Sequence, residues 1–278
     1  MILSAIKSIF DIDNVGKRWG VRILYLITVV LNAAIYFNPF ADSDFTPLNN
    51  WVNTFYSMTE YDPDSYSSLM ANLPLSQGNI VFILTVLLGE LIYITSAYIY
   101  ASVYVRNYRM EKAAILSKSD PDAINYAFSS LPDEPIKVSK LVGRIILISL
   151  VTSVVALPLL TISMYFLFFA LIGLPFIFTA PVAYLSGDKG LFSSIPYVCK
   201  LSSKYYFINM RSIAIVLVAA LIVDFGVPYL ANISYTAYYI VDAAVTTWLW
   251  LSIARLAALA YCTMKDYPIR GGKRNMAI

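Results

Sequence analysis

Three residues have the type and position to do chemistry in this sequence: Glu90, Asp224 and Arg255, each an ionisable group set inside a long apolar stretch. Placing such a group in hydrocarbon costs about 2.5 to 3.5 kcal/mol on the insertion scale, so it faces a partner or a water-filled cavity. In one arrangement Glu90 pairs with Arg255. In another, both line a polar path, with Asp224 towards its outer half and Pro228, one turn on, freeing a backbone carbonyl. A plainer arrangement has Arg255 snorkelling to the interface and Glu90 protonated and hydrogen-bonded in the packing. Counted from the outer ends of their stretches, Glu90 and Arg255 differ in depth by about 9 Å at helical rise, a gap that long side chains can close. Asp242 opens its stretch at the outer surface and reads as solvated.

Other chemistry finds little support. There is no histidine, which removes the commonest metal ligand and the usual base of a catalytic triad. Walker, G-x-S-x-G and H-E-x-x-H patterns are missing, as is any cysteine cluster at metal spacing. The expectation is a protein that is not an enzyme, with no catalytic residue, metal or cofactor. A net charge of +3 spread along a mostly apolar chain is not a phosphate-neutralising patch, so no nucleic-acid partner is expected.

The elements that position these residues follow from composition. Hydrophobic residues make up 59% of the sequence and charged residues 13%, against roughly 25% charged in an average soluble domain. A run of about 20 apolar residues matches the hydrocarbon core at helical rise. The expected fold is an all-α polytopic transmembrane helical bundle of about six spans with short amphipathic interfacial helices, the spans lying at about 21–38, 79–105, 144–164, 168–186, 212–230 and 238–264. The turn between spans three and four is expected within 164–169, with Gly173, Leu174 and Pro175 as an alternative break or kink.

Residues 1–20 form no long apolar core of a cleavable leader, and Ile2, Leu3, Ile6, Ile9, Phe10 and Val15 recur at helical spacing. That segment suits an amphipathic helix on the inner membrane surface, or an extension packed on its own bundle. Ser119, Asp120, Pro121 and Asp122 read as the start of a short surface helix to about Leu131. A further interfacial helix passes through Leu191, Ile195, Val198, Cys199 and Leu201. In the loop 39–78, Trp51, Phe55, Met58, Tyr61 and Tyr66 read as an interfacial aromatic belt in preference to a ligand-facing lid.

Orientation comes from the basic residues. Four lie at or before the start of span one, seven between spans two and three, four between spans four and five, and four after span six. The loop 39–78 holds five acids, Asp42, Asp44, Glu60, Asp62 and Asp64, and no Lys or Arg. The Lys/Arg bias therefore puts loops 106–143 and 187–211 and both termini in the cytoplasm, in a multi-pass protein of the inner (cytoplasmic) cell membrane. Cys199 and Cys262 fall on that side, so no disulfide is expected.

At Asp188, Lys189 and Gly190, through Ser193, Ser194 and Ile195 to Ser202, Ser203 and Lys204, the chain resembles the cytoplasmic segment of a group of uncharacterised bacterial six-span integral membrane proteins. That group includes the membrane domain of some glycerophosphodiester phosphodiesterases, and the resemblance covers roughly 144–211. It implies a bacterial six-helix bundle with cytoplasmic termini. Without the soluble catalytic domain, no hydrolase activity comes with it. Two functions are then expected: a non-catalytic scaffold or accessory subunit, whose partners are the lipid bilayer and a protein docking on the cytoplasmic loops, or a transporter or permease subunit whose polar intramembrane path is lined by Glu90, Asp224 and Arg255.

Overall fold

The helix Trp19–Tyr36 (α1) wears its polarity inside out: Thr28 and Asn32 are buried, while Ile23, Leu26, Ile27 and Val30 are exposed. Water would penalise that arrangement and hydrocarbon favours it, because apolar side chains facing lipid lose nothing and the polar groups find partners within the protein. The inward partners are present. The Thr28 hydroxyl bonds Ser96 at 2.7 Å, and the Asn32 amide donates to the Thr28 carbonyl at 3.0 Å.

This computed structural model describes residues 6–7, 9–10, 18–57, 67, 71–118, 136–161 and 164–266; at 113–118, 155–161, 164–171 and 224 it describes the backbone. All regular structure among them is helical. After α1 come Thr46–Ser57 (α2), Gln77–Lys118 (α3), Val138–Thr161 (α4), Met164–Leu185 (α5), Leu191–Ser202 (α6), Tyr206–Gly226 (α7), a 3-10 turn at Val227–Asn232, and Tyr235–Asp266 (α8). Among the described residues, four helical stretches are long and apolar enough to cross a bilayer: Trp19–Tyr36, Gln77–Lys112, Tyr206–Asn232 and Tyr235–Asp266. The fold is thus all-helical with several apolar helices, consistent with a membrane-embedded protein.

The axis of the bundle is α8, which packs against α1, α3, α5, α6 and α7. Its sequence explains the centrality: Ala243, Thr247, Ser252, Ala254, Ala257, Ala258 and Ala260 are buried, and small side chains let neighbouring backbones approach where no hydrophobic force drives helices together. The main core joins Ala97 and Ala101 of α3, Ala180 and Ala183 of α5, Val198 of α6 and Leu251 and Tyr261 of α8. α4 packs on α3 and α5.

Several boundaries differ from the sequence expectation. Residues 164–169, read above as a turn, are helical, because α4 ends at Thr161 and α5 begins at Met164. The run Met164 to Phe169 contains no glycine or proline to break it, and α5 continues through both Pro175 and Pro181, as helices in lipid can when neighbouring groups take up the freed backbone. α3 does not stop near Val105 but runs 42 residues, about 63 Å at helical rise, twice the depth of a hydrocarbon core. α8 starts at Tyr235, earlier than expected, so Asp242 sits two turns inside it. The expected helix after Ser119 and the residues Met58, Tyr61 and Tyr66 lie outside the described residues, whereas the helix expected through Leu191 to Leu201 is present as α6.

At the acidic end, the loop between α1 and α2 is pinned to the start of α3. The Asn79 amide donates to the carbonyls of Asp42 and Asp44, and the Asp42 amide donates to the Gly78 carbonyl. Gly78 is needed there: a Cβ would lie 2.7 Å from that of Asp42. On α2, Trp51 and Phe55 stack at 5.8 Å, while Tyr56 stands exposed.

Candidate functional site

The far end of α3, which carries Arg106, Arg109 and Lys112, meets two other elements in a buried network of charge. After α5 the chain reverses at Ser186–Gly190. Gly187 makes this possible by taking a φ of +88°, a conformation that costs other residues about 1 to 2 kcal/mol. The reversal projects Asp188 between α3 and α8. Its Oδ2 accepts from Arg109 Nη2 at 2.7 Å, from Lys265 Nζ at 2.9 Å and from Ser186 Oγ at 2.9 Å, and also from the Tyr261 hydroxyl. Arg109 spends its second nitrogen on the Ser186 carbonyl at 2.9 Å. One turn further on, Lys112 Nζ meets Asp266 Oδ1 at 2.6 Å, and the Tyr108 hydroxyl donates to Asp266 Oδ2 at 2.5 Å.

Desolvation governs the energetics of this clasp. The Lys112 and Asp266 side chains are 5% and 6% exposed, and Arg109 and Asp188 9% and 12%. Burial pushes the Asp188 carboxyl up. The Tyr261 hydroxyl, the Arg109 charge and the Lys265 ammonium outweigh it and hold the group below the ordinary carboxylate range. A carboxylate held ionised by four donors is a poor proton acceptor, so the geometry fits a fastening better than a general base. Around it, the Arg144 guanidinium donates to the Tyr184 carbonyl and lies 4.7 Å from that ring's centroid, while Lys189 lies 5.1 Å from the Tyr197 ring.

The clasp was not anticipated from sequence, where Arg106, Arg109 and Lys112 counted only among the basic residues that follow the span at 79–105. The signal available was the pairing of Arg109 and Lys112, three residues apart on one helical face, with the unlike charges Lys265 and Asp266 closing another helix. Nothing in the sequence places that face against Asp188.

The three residues singled out from sequence lie apart. Arg255 donates from Nη1 to the Lys7 carbonyl at 2.9 Å, and Trp248, two turns earlier on α8, donates from its indole to the Ile9 carbonyl. Ile9 also packs beside Ile213, Val216 and Leu256. The described residues Lys7 and Ile9 thus lie against α7 and α8. Among the described residues, no ion pair joins Glu90 to Arg255. Asp224 lies in the last turn of α7, where Pro228 opens the 3-10 turn that follows. Glu90 and Asp242 both lie within electrostatic reach of Tyr36 and Tyr93.

A small cavity of about 20 Å³ opens between α5, α7 and α8, with Thr179, Asn209 and Ser212 on an otherwise apolar lining. It has room for about one water. Among the described residues no group of three or more His, Cys, Asp or Glu is placed to hold a metal ion. No family model matches this chain, and neither does any curated protein or solved structure.

Proposed function

We propose that this chain is a non-catalytic scaffold or accessory subunit of the bacterial inner membrane, crossing it six times with the basic end and both termini in the cytoplasm. The observation that carries this reading is the surface beside the clasp. Phe192 at the start of α6 and Phe207 at the start of α7 are 85% and 84% exposed, as is Ile195 at 54%, and Lys200, Lys204 and Arg211 lie in the same stretch of sequence. Aromatic side chains on a rigid base, rimmed by cations, are what a partner helix or loop uses as anchors. The clasp supplies the rigidity by tying α3, the Ser186–Gly190 reversal and α8 together. The resemblance of residues 144–211 to six-span bacterial membrane domains points the same way. With α4 and α5 counted as spans beside the four stretches long and apolar enough to cross a bilayer, the number becomes six and every cluster of basic residues falls on one side.

A photo-crosslinking residue at Phe192 in intact cells tests the reading. A discrete protein adduct, lost when Phe207 is changed to Ser, supports it; adducts to lipid alone contradict it.

A second reading, a transporter or permease subunit, draws support from Glu90 and Asp242 both lying within electrostatic reach of Tyr36 and Tyr93. It predicts solute flux in proteoliposomes that Glu90→Gln abolishes.

A further inference from the structure

The two sides of α6 have different surroundings. Ser194, Val198 and Ser202, spaced four residues apart, are 3%, 0% and 0% exposed, and Val198 belongs to the main core. Positions four apart on an α-helix point within about 40° of one another, so the side opposite these three faces outward. It carries Phe192, Ser193, Pro196 and Lys200, with Ser203 just past the end of the helix, and all five are exposed. The first turns of α7 repeat the pattern: Asn209, Ser212 and Ile213 are buried, while Phe207 and Arg211, one turn apart, are exposed. The Asn209 amide donates to Ser202 Oγ at 3.3 Å and so fastens the end of α6 to the start of α7. In each helix a phenylalanine more than four-fifths exposed is followed by an exposed cation, about 12 Å along α6 and about 6 Å along α7 at helical rise.

Composition and charge say what covers these sides. Further along α7 the exposed residues Val218, Leu221, Ile222 and Phe225 are all apolar, as contact with hydrocarbon requires. On α6, Ser193, Lys200 and Ser203 interrupt the apolar contact, which is the make-up of a protein interface: an aromatic anchor within a polar rim. Charge then selects the partner. Residues 189–223 contain Lys189, Lys200, Lys204 and Arg211 and no Asp or Glu, and Asp188, just before them, accepts from Arg109 and Lys265 in the clasp. An unbalanced run of cations is complemented by carboxylates from outside and repels a basic partner.

We propose that the outward sides of α6 and α7 receive an acidic amphipathic helix of a partner protein, whose apolar face takes Phe192 and Phe207 and whose Asp or Glu residues pair with Lys200 and Arg211. This rests on the docking role proposed above and adds the partner's chemistry. The phenylalanines supply most of the affinity, because exposed ion pairs contribute little each; the carboxylates set the orientation and the choice of partner.

The test uses the full chain with a photo-crosslinking residue at Ile195, which is 54% exposed and leaves both phenylalanines in place. Crosslinking is done in unfractionated lysate, and the attached peptide is read by mass spectrometry. The expected peptide carries an excess of Asp and Glu within two turns of the crosslink. The charge reversal Lys200→Glu with Arg211→Glu lowers the yield of that adduct about tenfold, whereas Lys200→Arg with Arg211→Lys keeps it within about twofold. Raising the salt from about 0.1 M to about 1 M shortens the screening length from about 10 Å to about 3 Å and lowers the yield several-fold, a readout that needs no charge variant to fold. A protein adduct whose peptide is neutral or basic, or whose yield ignores both charge reversal and salt, overturns the acidic partner and leaves the docking role standing. Adducts to lipid alone overturn both.

Discussion

Replacing Asp188 with Ala asks whether the clasp at the basic end fastens the bundle. Asp188 is 12% exposed and accepts from Arg109, Lys265, Tyr261 and Ser186, so its removal strands charges that differ in their means of escape. The Lys265 side chain, 22% exposed, can turn to water. Arg109, 9% exposed, keeps its bond to the Ser186 carbonyl but loses the Asp188 carboxylate at 2.7 Å. Breaking a buried pair costs about 3 to 5 kcal/mol, and the partial relief available here puts the expected loss near about 3 kcal/mol. Arg109→Met leaves Asp188 with Lys265, Tyr261 and Ser186, and should cost about 2 kcal/mol by the same reasoning. The double variant strands neither partner, so it should fall well short of the sum, with a coupling of about 1.5 to 3 kcal/mol. Reversible unfolding in mixed micelles, followed by tryptophan fluorescence, measures all four states of the cycle. Additivity within about 0.5 kcal/mol would refute the claim that this pair acts as a buried fastening.

Other expectations follow from the same coordinates. Because the Asp188 carboxyl is held below its ordinary range, its contribution is fully present above the unfolded value of about 3.9 and is lost as pH falls through the lower folded value. The wild-type unfolding midpoint should therefore drop on acidification below about pH 4 more steeply than that of Asp188→Ala, and parallel curves would contradict this. Gly187→Ala should lower stability by about 1 to 2 kcal/mol in the same micelle assay, since its φ of +88° penalises any Cβ even though the space near Ile136 allows ordinary contact. Trp248→Phe removes the indole donor to the Ile9 carbonyl and should speed proteolytic cleavage within residues 1–18, with unchanged cleavage as the opposing result. Thr28→Val should cost only about 0.6 kcal/mol despite its 2.7 Å bond to Ser96, because hydrogen bonds between helices in lipid are worth little on average; a loss above about 2 kcal/mol would be inconsistent.

The legible part of this protein was whatever follows from one helix at a time. Apolar run length foretold the helices now seen as α1, α3, α7 and α8, and the spacing of Leu191, Ile195 and Val198 foretold α6. What hydropathy could not give was how far a helix continues once its sequence turns polar. α3 looked finished near Val105 because Arg106, Arg109 and Lys112 cannot lie in hydrocarbon, yet the helix persists, and Arg109 and Lys112 find carboxylates on other elements. The site residues suffered from the same blindness to register. Depth counting left Glu90 and Arg255 about 9 Å apart, and helix packing decided against their meeting by seating Lys7 on Arg255. The helix that carries Asp242 begins three residues before its expected start, at Tyr235 and not at 238.

The account rests on a bundle that crosses a membrane with its clasped, basic end inside the cell, and cysteine labelling tests that most directly. With Cys199 and Cys262 replaced, single cysteines go in at Thr54, exposed on α2 at the acidic end, and at Ser203, exposed beside the clasp. An impermeant maleimide applied to intact cells should modify the cysteine at 54, and should reach the one at 203 only after the membrane is opened. Labelling at 203 in intact cells, or equal labelling of both, would contradict the orientation and the docking role built on it.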